Sequence, residues 1–202
     1  MTLRFATVAD VDEIAALHSS RIAESFLATL GPAFLRRLYA RIVQSSRAFV
    51  LVVDAPGANG APHRVCGFVA VAEDTGALYR EFLLRDGIRA GIAATAGIAR
   101  SPRAVWETTR YGLRGGSDAA GSDVHAEVLS TAVASDCGQQ GIATRLVRAA
   151  VDELHRRGVA SARVVTTVGN LAAVTAYEHG GFRVVGLDEV HSGIAQQLLV
   201  WP

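Results

Sequence analysis

The stretch from Thr131 to Gly158, TAVASDCGQQGIATRLVRAAVDELHRRG, decides the fold: an apolar strand end runs through a glycine-punctuated loop into an amphipathic helix. Ile142, Leu146, Ala150 and Leu154 fall four apart with Ala143, Val147 and Val151 beside them. Arg145, Arg148, Asp152, Glu153, Arg156 and Arg157 take the other side, so the spacing predicts one buried stripe and one wet face. Arg156 and Arg157 suit the negative end of the helix dipole, and Gly158 supplies a left-handed stop. At the start, Gly138 and Gly141 let the backbone turn tightly and approach a ligand. The first free N–H groups of the helix then point outward with the positive dipole end behind them, an arrangement that binds phosphate. Many helices begin after a glycine turn with nothing bound, so this reading needs a second pattern.

That pattern is present. Gly138-Gln139-Gln140-Gly141-Ile142-Ala143 resembles the Gln/Arg-x-x-Gly-x-Gly/Ala signature of the GNAT superfamily of N-acetyltransferases, and a strand ending Thr131-Ala132-Val133 precedes it. Gly138 stands where Gln or Arg is usual, which removes a side-chain contact and leaves the backbone donors. Asn170-x-x-Ala173-x-x-x-Tyr177-x-x-x-Gly181-Phe182 matches the closing half of the same cofactor region. The resemblance implies acetyl-CoA as co-substrate, held by Thr131, Ala132, Val133, Gln139, Gln140, Gly141, Ile142, Ala143, Thr144 and Asn170, with no metal. It also implies an α/β sandwich around a mixed, mostly antiparallel seven-stranded sheet.

Composition agrees with one globular domain spanning 1–202. Of 202 residues 50% are hydrophobic and 19% charged, enough apolar content for a core. Twenty basic against nineteen acidic residues leave a net charge of +1, too little field to capture nucleic acid or an anionic membrane. A small-molecule partner is expected. All basic residues are Arg, which excludes a catalytic or Schiff-base lysine. Two cysteines, Cys66 and Cys137, allow at most one bridge, and the absence of a signal-like or membrane-length apolar run places the chain in the cytoplasm.

Outward from the central stretch, Leu3 to Ala6 reads as a first strand. Asp10 then caps a helix carrying Val11, Ile14, Ala15, Leu17 and Ile22. A second helix opens at Gly31-Pro32. His18, Arg21, Glu24 and Ser25 cluster around the first helix end, which walls the acceptor pocket in the resembling family and otherwise reads as solvated surface. Ala48–Asp54 and Val65–Ala72 form a hairpin with a loose loop, and Cys66 reads as a small buried hydrophobe. From Asp74 to about Asp123 small helices are expected around Leu78–Leu83, Ile88–Ile98 and from Ser101-Pro102, ending in a flexible linker, Arg114–Ser122. This helical insertion between strands three and four reads as a substrate lid, a homodimer surface or a structural addition. Val124–Val133 is the central strand, followed by strand Ala162–Thr167, helix Asn170–Gly180, and strands Phe182–Leu187 and Gln196–Trp201.

The chemistry centres on Tyr177 and Glu127. Tyr177 lies seven residues after Asn170, two turns along the same face, so both reach one ligand. A phenol with pKa near ~10 stays protonated at neutral pH and can donate to a departing thiolate with pKa near ~8.5. An ammonium acceptor must first lose its proton. Glu127 on the central strand is the leading candidate base, with His125 on the same face, His191 between the last strands, and water as alternatives. The resemblance puts the donor for the oxyanion on a backbone N–H near Leu129 to Thr131, where the central strand splays. The function expected is acetyl transfer to a primary amine of a small molecule, amino sugars included, by direct attack in a ternary complex. A protein N-acetyltransferase and a non-catalytic acyl-CoA-binding module are the alternatives.

Overall fold

The computed structural model describes residues 1–23, 26–56, 63–100, 123–138, 140–189 and 195–202. Seven strands form one sheet: β1 (Thr2–Phe5), β2 (Ala48–Ala55), β3 (Arg64–Ala72), β4 (Ala126–Val133), β5 (Ala162–Thr167), β6 (Arg183–Glu189) and β7 (Ala195–Trp201). Their order is β1-β2-β3-β4-β5-β7-β6, and every pairing is antiparallel except β4 with β5. The described helices are α1 (Val11–Arg21), α2 (Phe26–Thr29), α3 (Pro32–Gln44), α4 (Thr75–Arg100), α5 (Ile142–Arg156) and α6 (Leu171–His179).

Alternation along β2 explains the two layers. Phe49, Leu51 and Val53 join one core with Ile142, Leu146, Ala150 and Leu154 of α5. Val50 and Val52 join the other with Ile14 of α1 and Leu35, Leu38 and Ile42 of α3. Strands β2 and β3 are thus covered on both faces, which suits their unbroken apolar runs. Each fully buried Leu or Ile on these faces contributes roughly 1.5–3 kcal/mol by leaving water.

Several expectations change in detail. The helices expected around Leu78 and Ile88 are one continuous α4, capped by Asp74 Oδ1, which accepts from Ala77 N at 2.8 Å. Its Leu78 and Phe82 are buried, and Phe82 meets Phe34 of α3 edge-on at 5.6 Å. The helix expected from Ser101-Pro102, the linker Arg114–Ser122 and the loop at 57–62 lie outside the described residues. Cys66 is a bridged residue: it is joined to Cys137 across a sequence separation of 71, tying the loop before α5 to β3. Asp10 does not cap α1 with its side chain. It reaches back, accepting from Thr7 N at 2.7 Å and from Arg4 Nη1 and Nη2 at 2.8 and 2.7 Å, while Arg4 also binds Asp54.

The Arg4 guanidinium pulls the Asp10 carboxyl down to about 2, against the opposing effect of burial. A depressed carboxylate stabilises the fold fully above the unfolded value near ~3.9, and the contribution is lost as pH falls toward 2. Arg4 is partly exposed, so the effect is held to about 1–2 kcal/mol. Denaturant titrations at pH 6 and pH 2.5 should differ less for Asp10→Asn than for the native chain. Gly180 supplies a second test. A Cβ there would lie 2.4 Å from Val147 Cγ1, because α6 ends directly against α5. Gly180→Ala should cost about 1–3 kcal/mol of unfolding free energy, the usual penalty of overpacking.

Candidate active site

Strands β4 and β5 pair through only two registers, Ala126↔Ala162 and Glu127↔Arg163, and then diverge. Beyond Glu127 the β5 side of β4 has no strand partner. A bulge follows: Ala70 faces Ser130 while Val71 faces Val128, so Leu129 is an extra residue. The bulge resets the alternation. Leu129 packs toward the α1–α3 layer, and Ser130 Oγ lies 2.8 Å from Tyr39 Oη of α3, so two successive side chains share a face. Thr131 then points to the opposite side beside Tyr177, and Ala132 returns to the α1–α3 core.

Two adjoining cavities occupy the opening. The larger, about 450 Å³, is lined by Val133, Cys137, Gly138, Gly141, Ile142, Ala143 and Thr144 on one side and Leu171, Ala172, Thr175 and Ala176 on the other. The smaller, about 190 Å³, is lined by Arg21, Thr131, Ala132, Val133, Ala143, Asn170, Ala172, Ala173, Ala176 and Tyr177. Val133, Ala143, Ala172 and Ala176 belong to both, so the two make one cleft.

At the wide end Gly141 is the N-cap of α5 in the left-handed region, φ 67°, and has no side chain to satisfy the first-turn amides. The first α5 amide to return to its preceding turn is that of Arg145, which donates to the Gly141 carbonyl at 2.9 Å. The amides of Ile142, Ala143 and Thr144 are left toward the cavity with the positive end of a fifteen-residue helix behind them. Gly138 is not conformationally special: its φ is −61°, open to any residue, and an added Cβ would meet only the Ser135 carbonyl at 3.3 Å. Gln140 lies in the turn before Gly141, and Gln139 lies outside the described residues.

At the narrow end Tyr177 is 5% exposed, packed edge-on against Phe182 at 5.8 Å. Burial pushes its phenol up, only partly offset by the neighbouring Thr131 hydroxyl, so it carries its proton at neutral pH. Thr131 Oγ1 is buried at the cleft floor beside the Tyr177 phenol, which is its nearest polar neighbour by interaction, and among the described residues it makes no hydrogen bond of full geometry. Asn170 caps α6 by accepting from Ala173 N at 3.2 Å and also lines the cleft. A mostly apolar lining with helix amides at one end and Thr131, Asn170 and Tyr177 at the other fits a phosphorylated thioester.

Glu127 sits at the closed end of the splay. Its Oε2 accepts from Arg163 Nε and Nη2 at 3.1 and 3.0 Å and from Thr75 Oγ1 at 3.5 Å. Arg163 and Thr75 were not singled out by sequence, because cross-strand and strand-to-helix contacts have no local signature. His125 precedes β4 rather than sharing its pleat, and its carbonyl accepts from Thr75 N at 3.1 Å. His191, Glu24 and Ser25 lie outside the described residues. On the α1–α3 side runs a buried polar chain, His18 Nδ1···Tyr39 Oη 2.6 Å and Tyr39 Oη···Ser130 Oγ 2.8 Å. Burial pushes the His18 imidazole down to about 4 and the Tyr39 phenol up, so both are uncharged at pH 7.

The cleft thus sets a splayed strand pair against a glycine-capped helix terminus. Residues 92–182, a little under half of the chain, match the family model described as acetyltransferase (GNAT) family. Solved structures agree in fold. The ribosomal-protein-alanine N-acetyltransferase of Brucella melitensis superposes with a TM-score of 0.61 at 15% identity, covering 99% of this chain and 98% of that one. A variant of the spermidine N-acetyltransferase of Vibrio cholerae gives 0.59 at 15% identity, covering 100% and 94%. A chain of the NatC complex bound to Gag peptide and CoA gives 0.58 at 16%, covering 100% and 97%. No curated protein matches the sequence.

A Cβ at Gly141 meets no protein atom within 4 Å, so the fold has room for it, but φ 67° and the ligand's approach do not. Gly141→Val should therefore stay folded, with a strain of about 1–3 kcal/mol, and calorimetry should show acetyl-CoA affinity falling sharply.

Proposed function

We propose that this protein transfers an acetyl group from acetyl-CoA to a primary amine of a small molecule, amino sugars included, by direct attack in a ternary complex. The observation that carries this reading is the single cleft joining the free α5 amides to the Tyr177 hydroxyl. The amides of Ile142 to Thr144 hold the diphosphate, and the β4 edge from Thr131 to Val133, released from β5, offers backbone groups to the pantetheine arm. Gln140 belongs to the turn that presents this end, and Asn170 closes the opposite wall. The neutral, buried Tyr177 donates its proton as the thiolate leaves. Backbone N–H groups around the Leu129 bulge serve the developing oxyanion.

Glu127 takes the acceptor's proton through water in this reading. Arg163 fixes its Oε2, while Oε1 has no hydrogen-bond partner among the described residues and is left to accept. The helix α4 that starts at Thr75 beside Glu127 forms part of the acceptor wall. The small volume at the Tyr177 end favours a discrete amine over a threaded polypeptide.

Thiol release from acetyl-CoA with a pool of amines tests the activity. Tyr177→Phe should lower kcat by about 10² to 10⁴, the usual worth of general acid catalysis, with acetyl-CoA affinity nearly unchanged. Since burial raises the Tyr177 phenol, no loss of wild-type turnover from that group should be seen up to pH 10. Glu127→Gln should lower kcat comparably, and an unaltered rate would remove Glu127 from the mechanism. Tight acetyl-CoA binding with no transfer to any amine would leave a binding module instead.

A further inference from the structure

The two cavities of the cleft are lined almost wholly by uncharged residues. Among the described residues lining them, Arg21 alone carries a charge. It is the last residue of α1, an exposed residue that lines the narrow cavity together with Thr131, Asn170 and Tyr177. Other arginines around the sheet are neutralised: Arg163 by Glu127, Arg64 by Asp136, and Arg157 by Glu73 and Glu153. Among the described residues the Arg21 side chain has no ion-pair or hydrogen-bond partner.

Its placement is set by what lies one turn earlier. Ile14, Leu17 and His18 bury one face of α1, and the His18 to Tyr39 hydrogen bond at 2.6 Å, continued to Ser130, locks that turn over the β4 bulge. Arg21 follows His18 by three residues and so projects from the same face, at the point where the helix ends over the cleft. An exposed guanidinium with no counter-ion among the described residues, at the rim of an otherwise uncharged cleft, is placed to take an anion, because the planar fork matches a carboxylate or phosphate bidentately. The anion does not come from the co-substrate. Its diphosphate belongs to the α5 terminus in the larger cavity, which Arg21 does not line, and the pantetheine thioester that reaches Tyr177 is uncharged.

We propose that Arg21 is a specificity-determining residue that binds an anionic group on the acceptor, so that the substrates are primary amines also bearing a carboxylate or phosphate. This rests on the acetyl-transfer reading above. The same guanidinium repels polycationic amines by like charge.

The test uses matched amines: alanine against alaninamide, glucosamine 6-phosphate against glucosamine, and spermidine as the polycation. Thiol release is measured for the native protein, Arg21→Gln and Arg21→Lys, with acetyl-CoA affinity determined separately. The expected result is a preference for the anionic member of a pair. Arg21→Gln should reduce kcat/KM for it by about 10- to 100-fold through KM, as for loss of a charged hydrogen bond. Turnover at saturation and acetyl-CoA affinity should be retained, and Arg21→Lys should recover part of the loss. The carboxylate and phosphate pairs separate the two anion types. Preference for spermidine or for the uncharged members, or an Arg21→Gln loss confined to acetyl-CoA binding, would overturn the proposal. If no amine is acetylated, the transfer reading fails on its own, and calorimetric titration of the same amines into the CoA complex still decides the anion site. Binding of an anionic amine that Arg21→Gln abolishes supports it, and no binding, or binding unaffected by the substitution, refutes it.

Discussion

The constraint on which the site depends is the two-residue pairing of β4 with β5. Every other neighbouring pair in the sheet is antiparallel and runs through at least four registers. After Glu127 the two strands part because each is held on its far side. Strand β4 follows β3 to Gly67↔Val133, and β5 follows β7 along its whole length. Backbone groups that a sheet normally satisfies internally are thereby released into a cleft, where a ligand rather than a strand can pair with them.

What lines the cleft follows from how the layers pack around this gap. Helix α5 lies against β2 and β3 with Leu146, Ala150 and Leu154 fully buried, so its amino terminus is delivered to one end. Helix α6 packs on α5 so closely that Gly180 has no space for a side chain, and it brings Tyr177 to the other end. The disulfide from Cys66 to Cys137 anchors the intervening loop to β3. The α5 amides and the Tyr177 hydroxyl thus sit on rigid elements, which is what stabilisation by fixed dipoles requires.

Electrostatics divide along the same line. Charged pairs such as Glu127–Arg163 and the Arg4–Asp10–Asp54 group satisfy one another at the closed end and at the β1 edge. Inside the cleft the groups are neutral: Tyr177 keeps its proton, and behind β4 the chain His18–Tyr39–Ser130 is held uncharged by burial. Net charge near zero, as the composition has it, says nothing about this arrangement. Among the described residues the one charge that lines this space is the exposed guanidinium of Arg21 at its rim.

Local periodicity made much of the chain legible before any coordinates. Four-residue spacing from Ile142 to Leu154 foretold α5 and its buried stripe, β-branched runs foretold β2, β3 and β5, and Asn170 announced the cap it makes on α6. These features depend on neighbours within a few residues, and a linear pattern records them. Pairings across long separations left no such record. Cys66 read as a lone hydrophobe because its partner lies 71 residues away, and Glu127 read as a free base because Arg163 sits on another strand. Arg21 read as helix surface and is exposed, and only the tertiary packing sets it beside the cleft. The sequence by itself determined the elements and the glycine turn that opens α5. Only the tertiary structure decided which side chains face the reacting centre, because that depends on long-range packing and on where two strands stop pairing.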